Sequence, residues 1–286
     1  MIPYTKLNSQ GNDFILVEHS NLSSQLTPDK IKHYSNREVI GCDQFFIVDT
    51  TTLDNVNCDV YNQDGSKASQ CGNGLRATML YLHKKYNINM TNLIVCNKSY
   101  PAEINDDLIS IDMGSPQYID NIINSAPEYS ITKNGLVLTL NHNDTSLKFS
   151  FIPITIGNSH CVVFSDNCID EKERISKIID DIYDKTMNIG FIENASSFLN
   201  DCTTVVKLTV NERGAGYTKS CGSGATAAAI CLFRLYELKS ESKVKNSLIK
   251  IRQVGGELEI IKNYNPDSFK LIGPSSIDGE GNLEYQ

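Results

Sequence analysis

The chain has no run of Lys or Arg longer than a pair and no apolar stretch of the length that crosses a membrane. The first absence, with a formal net charge of −8 from 26 Lys+Arg against 34 Asp+Glu, removes the electrostatic footprint of a nucleic-acid binder. The second removes a helical membrane span. The N-terminal MIPYTKLNSQGNDF carries no basic segment followed by an apolar one, so no secretory signal is expected. The nine cysteines are an odd number, stand singly and never form C-x-x-C, which argues against a disulfide framework and a zinc ribbon. No His/Cys/Asp spacing makes a metal site. These absences leave a soluble protein of a reducing cytoplasm, without nucleic acid, membrane or metal as partner.

At 286 residues and 40% hydrophobic content, the chain can fill a core in each of about two domains. Short apolar or alternating runs bounded by turn residues predict strands at residues 4–7, 14–18, 45–48, 59–62, 93–96, 109–113, 136–140, 147–151, 161–164, 205–210, 249–253 and 257–261. Thr27-Pro28 pairs an N-cap residue with proline at the first helical position, predicting a helix that stops near Gly41. Further helices are expected over 74–84, from about Glu171, and over 222–238. The second half repeats the order of the first, and Ser115 to Pro127, which loses periodicity, is the expected boundary. The pattern is that of an α+β protein of two similar lobes.

What the chain does have is a duplicated cassette. Cys71-Gly72-Asn73-Gly74 and Cys221-Gly222-Ser223-Gly224 each open into a helical run, with Ala77 and Ala227, and Leu82 and Leu232, coinciding in the two copies. A polar partner stands nine residues before each cysteine, Asn62 in one copy and Glu212 in the other. A helix N-terminus has unpaired N–H groups and a partial positive charge, so it attracts a carboxylate and favours a thiolate. Glycines at 72 and 222 let a ligand approach the backbone. Two such nests suit removal of a proton from one face of a carbon beside a carboxylate and its return to the other face, one cysteine as thiolate base and the other as thiol acid, with no cofactor. A single C-G-x-G reads more readily as a small buried residue under a turn; duplication at matched spacing reverses that balance toward the chemical reading. No Gly-Lys-Ser/Thr follows either cassette, so a phosphate loop is set aside.

With these residues in view the chain resembles the diaminopimelate epimerase family. The resemblance runs through Gly11-Asn12-Asp13-Phe14, Asp43-Gln44, Asn62 to Ser66, Gln70 to Gly74, Gly157 to Cys161, Asn188 to Phe191, Glu212-Arg213-Gly214, Cys221 to Ala225 and Gly273-Pro274. It implies two pseudo-symmetric lobes, each a curved, mostly antiparallel sheet around a central helix. The N-terminal lobe would span 1–118 with 268–286 returning to it, and the C-terminal lobe 119–267. It also implies cofactor-independent conversion of LL- to meso-diaminopimelate in lysine and peptidoglycan precursor synthesis. Cys71 and Cys221 would be the acid–base pair. Gly72, Asn73, Gly222 and Ser223 would hold the carboxylate at the reacting carbon, and Asn62, Asn158, Asn188, Glu212 and Arg213 would read the distant amino-acid end. Asn12 and Gln44 would line the same cleft, and His160 with Glu212 would tune the thiols. The family's homodimer is the expected assembly, although the segment Gly273 to Gly279 lacks the family's aromatic residue.

Two other functions fit part of the pattern. A racemase of another amino acid could use the same two thiols, but a short substrate would leave Arg213 and the three asparagines unpaired. A non-catalytic amino-acid binding protein would have no need of two thiols. Cys42, Cys58, Cys96, Cys161, Cys168, Cys202 and Cys231 read as packing residues, and His19, His33, His83 and His142 as turn or surface residues.

Overall fold

The computed structural model describes residues 1–119, 121–122, 128–143, 145–165, 168–201, 205–240, 247–264 and 267–284. The chain divides into two compact units, Met1–Asp112 with Leu271–Gln286, and Met113–Lys270. Both divisions lie a few residues from the expected boundaries, and part of the expected linker, 120 and 123–127, falls outside the described residues.

In the first unit, β1 (Ile2–Ser9) pairs antiparallel with β2 (Asn12–Glu18), and β2 runs parallel to β3 (Gln44–Asp49). An antiparallel pairing joins β3 to β4 (Asn55–Asn62), a parallel one β4 to β5 (Met90–Val95). Antiparallel pairings then add β6 (Lys98–Asn105) and β7 (Leu108–Asp112). The crossover between β2 and β3 carries α1 (Pro28–Ser35), and that between β4 and β5 carries α2 (Gly72–Tyr86). α1 begins where Thr27-Pro28 predicts, with the Thr27 hydroxyl accepting the Lys30 N–H. It ends at Ser35, short of Gly41, because Asn36 turns to extended backbone and the chain doubles back, Gly41 N–H bonding to the Tyr34 carbonyl. The apolar face of α1, Ile31 and Tyr34, packs with Ile2, Ile15, Val17, Phe45 and Ile47. By contrast α2 is buried on every side from Gly72 to Leu82 and touches β1, β2, β5, β6 and β7. A helix enclosed all round belongs at the centre of its unit.

The second unit starts with β8 (Gln117–Tyr118), β9 (Tyr129–Asn134) and β10 (Val137–His142), then repeats the first. β11 (Lys148–Ile156) is antiparallel to β12 (Asn158–Val163), which runs parallel to β13 (Asn188–Ile192). β13 is antiparallel to β14 (Val205–Glu212), which also pairs with the short β15 (Gly216–Thr218). β14 is parallel to β16 (Leu248–Gln253), and β16 is antiparallel to β17 (Gly256–Tyr264). α3 (Lys172–Tyr183) occupies the place of α1 and packs Ile175, Ile178, Ile179 and Ile182 against Phe149, Phe151 and Phe191. α4 (Ala195–Asp201) lies between β13 and β14, while α5 (Gly222–Ser240) repeats α2, touching β11, β12, β13, β14, β16 and β17. β18 (Asp267–Gly273) then leads to β19 (Ser276–Leu283), which pairs with β1 in the first unit from Ile2 to Asn8. The fold is α+β, with one order of pairings, antiparallel, parallel, antiparallel, parallel, antiparallel, used twice.

Cys96 is not a packing residue: it is exposed, and Cys96 and Asn97 (φ 48° and 62°) form the two-residue left-handed turn that returns β5 into β6. Cys42, Cys58, Cys161, Cys168 and Cys231 are buried, and Cys202 lies outside the described residues.

Candidate active site

The repeated topology puts the candidate side chains at equivalent points of each unit. Asn12 and Asn158 open β2 and β12, each after a glycine with positive φ, Gly11 at 90° and Gly157 at 85°. Gln44 and Asn188 open β3 and β13, while Asn62 and Glu212 close β4 and β14. Cys71 and Cys221 each stand before the buried central helix. Parallel strands that start together, and an antiparallel neighbour that ends beside them, gather these side chains at one end of the sheet in each unit.

In the first unit Cys71 is the N-cap of α2. Its backbone is extended, its carbonyl accepts the Leu75 N–H at 2.9 Å, and its sulfur accepts the Gly74 N–H at 3.3 Å. Ser9 Oγ donates to the Asn73 carbonyl at 2.9 Å and meets Ser275 Oγ at 2.7 Å. Gln44 pairs with Asn62 in the sheet register, and Gln44 Nε2 donates to Asn62 Oδ1 at 3.3 Å. Asn62 Nδ2 donates to Ser66 Oγ at 3.0 Å. Asn12 Oδ1 accepts from Asn73 Nδ2 at 3.4 Å and lies 3.9 Å from the Cys71 sulfur. Asn12 and, through it, Asn73 are thus brought to Cys71, beside Gly72, while Gln44 and Asn62 contact each other.

The second unit repeats the cap with different neighbours. The Cys221 carbonyl accepts the Ala225 N–H at 2.9 Å and its sulfur the Gly224 N–H at 3.4 Å, with Ser223 Oγ 3.7 Å away. Burial, followed by the adjacent Glu212 charge, pushes the Cys221 thiol well above the ordinary range, against the Gly224 N–H. The Glu212 carboxylate accepts the thiol hydrogen and also takes the Thr218 hydroxyl. Asn188 Oδ1 accepts the Arg213 N–H at 2.9 Å and Asn188 Nδ2 donates to the Ser159 carbonyl at 3.2 Å, linking the β13 start to the end of β14. The Arg213 side chain is exposed, with Nη1 3.4 Å from the Thr186 carbonyl. A cavity of 180 Å³ is lined by Glu212 and Arg213 with Asp180, Lys185 and Met187. His160 is fully buried and held neutral, its pKa brought down to about 3 by burial, and Nε2 lies 3.0 Å from Ser223 Oγ. Its path to the Cys221 sulfur runs through that hydroxyl.

Sequence reasoning missed two residues that hold the cassettes. Gln253, at the end of β16, clamps Cys221 from both sides, Oε1 accepting the Cys221 N–H at 2.6 Å and Nε2 donating to its carbonyl at 3.1 Å. Asp43 accepts Asn12 Nδ2 at 2.8 Å. Neither carries a local signal, although Asp43 precedes Gln44 in the motif quoted above. Among the described residues no group of three His, Cys, Asp or Glu side chains could hold a metal ion, and no helix is long and apolar enough to cross a membrane.

The doubled strand order around two helices that each begin after a cysteine is a fold this chain shares with solved structures of low sequence identity. Solved structures with that fold include a PhzF-family phenazine biosynthesis protein of Bacillus anthracis (TM-score 0.66, 14% identity, 99% of each chain covered). Another is a probable proline racemase of Agrobacterium radiobacter (TM-score 0.60, 11% identity, 100% of this chain and 94% of that one). In sequence, the family model described as Diaminopimelate epimerase matches residues 4–119. A diaminopimelate epimerase of Legionella pneumophila is 30% identical over 299 residues, 99% of each chain. The chain belongs to the diaminopimelate epimerase family.

Proposed function

We propose that this isomerase inverts one α-carbon of LL-diaminopimelate to give the meso compound, with Cys71 and Cys221 as its acid–base pair and no cofactor. The thiolate of one cysteine takes the α-proton and becomes a thiol. The electron pair left on carbon spreads into the carboxylate, and the thiol of the other cysteine returns a proton to the opposite face and becomes a thiolate. Protons and charge balance over the cycle, and the roles exchange in reverse. The observation that carries this reading is the matched cap: in each unit a cysteine sulfur faces the first N–H groups of a buried helix, at 3.3 Å from Gly74 N and 3.4 Å from Gly224 N. Free N–H groups at such an end stabilise the charge that develops on the reacting carboxylate.

The second amino-acid head of the substrate is assigned to Asn62, Asn158, Asn188, Glu212 and Arg213, with Asn12 and Gln44 beside it. An exposed guanidinium at Arg213 offers a two-pronged grip on a carboxylate, and Glu212 a partner for an ammonium. The eight described cysteines are free thiols, which fits a reducing cytoplasm. Supply of lysine and peptidoglycan precursors follows from that substrate.

The test is deuterium entry from solvent into LL-diaminopimelate and into monocarboxylic amino acids, with wild type, Cys71→Ala and Cys221→Ala. Each variant is expected to lose inversion by several orders of magnitude, on the order of 10⁴-fold or more where the thiol is the only base. Full activity in either variant overturns the two-base assignment. Brisk exchange into a monocarboxylic amino acid alone makes the protein a racemase of that substrate, and binding without exchange makes it a carrier.

A further inference from the structure

Behind Cys71 stands a charged network that the reaction itself does not use. A carboxylate can only accept hydrogen bonds, so the Asn12 amide must present Nδ2 to Asp43 Oδ2, 2.8 Å away. That choice turns Asn12 Oδ1 toward the Cys71 sulfur at 3.9 Å and toward Asn73 Nδ2 at 3.4 Å. Asp43 is itself held: Arg37 Nη2 donates to its Oδ1 at 2.6 Å, and its Oδ2 also accepts the Asp13 N–H at 3.1 Å. The Arg37 guanidinium grips both oxygens of Asp13, at 2.6 and 2.8 Å, and Lys6 pairs with Asp13 at 2.7 Å. The Asp43 N–H returns the link to Asp13 Oδ1 at 3.1 Å. Two carboxylates bonded to each other's backbone need a shared cation, and Arg37 supplies it. Burial alone would raise Asp13, but the Arg37 and Lys6 hydrogen bonds and charges bring it to about 2, so Asp13 stays ionised at neutral pH.

An exposed ion pair stabilises a fold very little, and Arg37 is half exposed. Its consequence here is orientation. An amide carbonyl facing a sulfur accepts from a thiol and repels a thiolate, whereas the flipped amide would donate to a thiolate. We propose that Arg37, Asp13 and Asp43 form a positioning device that locks the Asn12 amide with its carbonyl toward Cys71, so that Cys71 rests as a hydrogen-bonded thiol. The proposal deepens the acid–base reading of Cys71 and rests on it. The opposing charge comes from the same helix: the buried Arg76 guanidinium interacts with Cys71 and favours its thiolate. The Gly74 N–H favours it as well. Asp13, Asp43, Arg37 and Lys6 act on Cys71 from the β1–β2 and α1–β3 side. Asn12 is the contact through which they do so.

The decisive variant is Arg37→Met, because orientation and simple charge predict opposite signs. Loss of a nearby cation by itself raises a thiol pKa, whereas loss of the lock frees the Asn12 amide to turn and lowers it. The readout is the pH dependence of iodoacetamide alkylation at Cys71 in the full-length Cys221→Ser protein, followed by peptide mass spectrometry so that Cys96 is scored separately. The expected result is a fall of about one pH unit in the Cys71 midpoint, or roughly tenfold faster alkylation at neutral pH. Asp43→Asn, whose new amide can donate to Asn12 Oδ1, is expected to move the midpoint the same way. An unchanged or raised midpoint in a folded Arg37→Met protein overturns the proposal. If Arg37→Met does not fold, Arg37→Gln, which also removes the cation, decides by the same criterion. The alkylation midpoint is read without turnover, so residual activity in Cys71→Ala would sink the acid–base reading separately from the lock.

Discussion

Gly74→Ala separates the geometric account of the first cassette from a merely compositional one. Gly74 has ordinary helical backbone, so its lack of a side chain answers to space alone. A methyl at that position would come within 2.5 Å of Phe46 Cε2 and closer still to Cζ. Phe46 cannot swing away, since it is 1% exposed and its ring stands edge-on to the fully buried Phe14, 5.6 Å between centroids at 84°. Alanine ordinarily stabilises a helix by about 1 kcal/mol relative to glycine. Overpacking of a fixed ring costs roughly 1–3 kcal/mol or more, and an overlap this deep belongs at the upper end. A net loss of about 2 kcal/mol is expected, read as a lowered urea midpoint by circular dichroism. The helix start that carries Cys71 must also shift, because Gly74 N–H bonds to its sulfur and the Gly74 carbonyl accepts Thr78 Oγ1 at 2.9 Å. Displacement of about 1 Å at a reacting group costs on the order of 100-fold in rate, read by deuterium wash-in. The matched position in the second unit behaves differently: a methyl at Gly224 would lie 3.1 Å from both Cys221 Sγ and Val210 Cγ2. Gly224→Ala should therefore keep near wild-type stability while losing activity through its pressure on the sulfur. A Gly74→Ala protein as stable as wild type would refute the packing argument.

Two further outcomes follow from buried or clamped charges. Arg76 is fully buried, none of its guanidinium nitrogens has a hydrogen-bond partner among the described residues, and burial brings its pKa from 12.5 to about 10. At about 1.4 kcal/mol per pH unit, the charged form costs about 3 kcal/mol while both folded and unfolded chains carry the proton. Arg76→Met is expected to raise stability by up to that amount at neutral pH, with the advantage shrinking above about pH 10; a loss of stability on urea melting would contradict it. Asp13 lies below its ordinary 3.8, at about 2, so its contribution is complete above about pH 4 and disappears as pH falls through about 2. Asp13→Asn should flatten the pH dependence of the urea midpoint across that window, and an unchanged slope would show that the Arg37 and Lys6 contacts do not form.

What could be read in the sequence was whatever local chemistry dictates. Cys-Gly-x-Gly before an apolar run is a helix start, and both helices begin at the glycine after the cysteine, Gly72 and Gly222. Thr27-Pro28 fixed the start of α1 for the same reason, but its end depended on a tertiary fact: Asn36 to Glu38 leave the helix, and Arg37 meets Asp13 and Asp43. β19 was invisible because Ser-Ile-Asp-Gly-Glu-Gly-Asn-Leu has the composition of a loop. It is a strand through its pairing with β1, and Gly281 is tolerated there because the Tyr4 ring sits where its Cβ would be, 2.7 Å away. β6, β9 and β18 were missed in the same way. Gln253 could not be read either, since its clamp on Cys221 spans 32 residues of chain.

The duplication is most informative where the copies disagree. At matched points Asn62 corresponds to Glu212, Asn73 to Ser223, Phe14 to His160 and Arg76 to Thr226, while the cysteines and their glycines stay the same. Two of these differences bear directly on a sulfur, Glu212 beside Cys221 and Arg76 beside Cys71. Cys71 has a buried cation on its own helix and a neutral amide in front, whereas Cys221 has burial and a carboxylate that keep its proton on. On the proposed reading, the shared scaffold supplies two equivalent helix ends, and divergence of the residues around them gives the two thiols different proton affinities. Exchanging that difference, by Glu212→Gln in one unit and Arg76→Met in the other, should bring the two thiol midpoints together, and a pair that stayed as far apart as in wild type would mean that burial alone sets them.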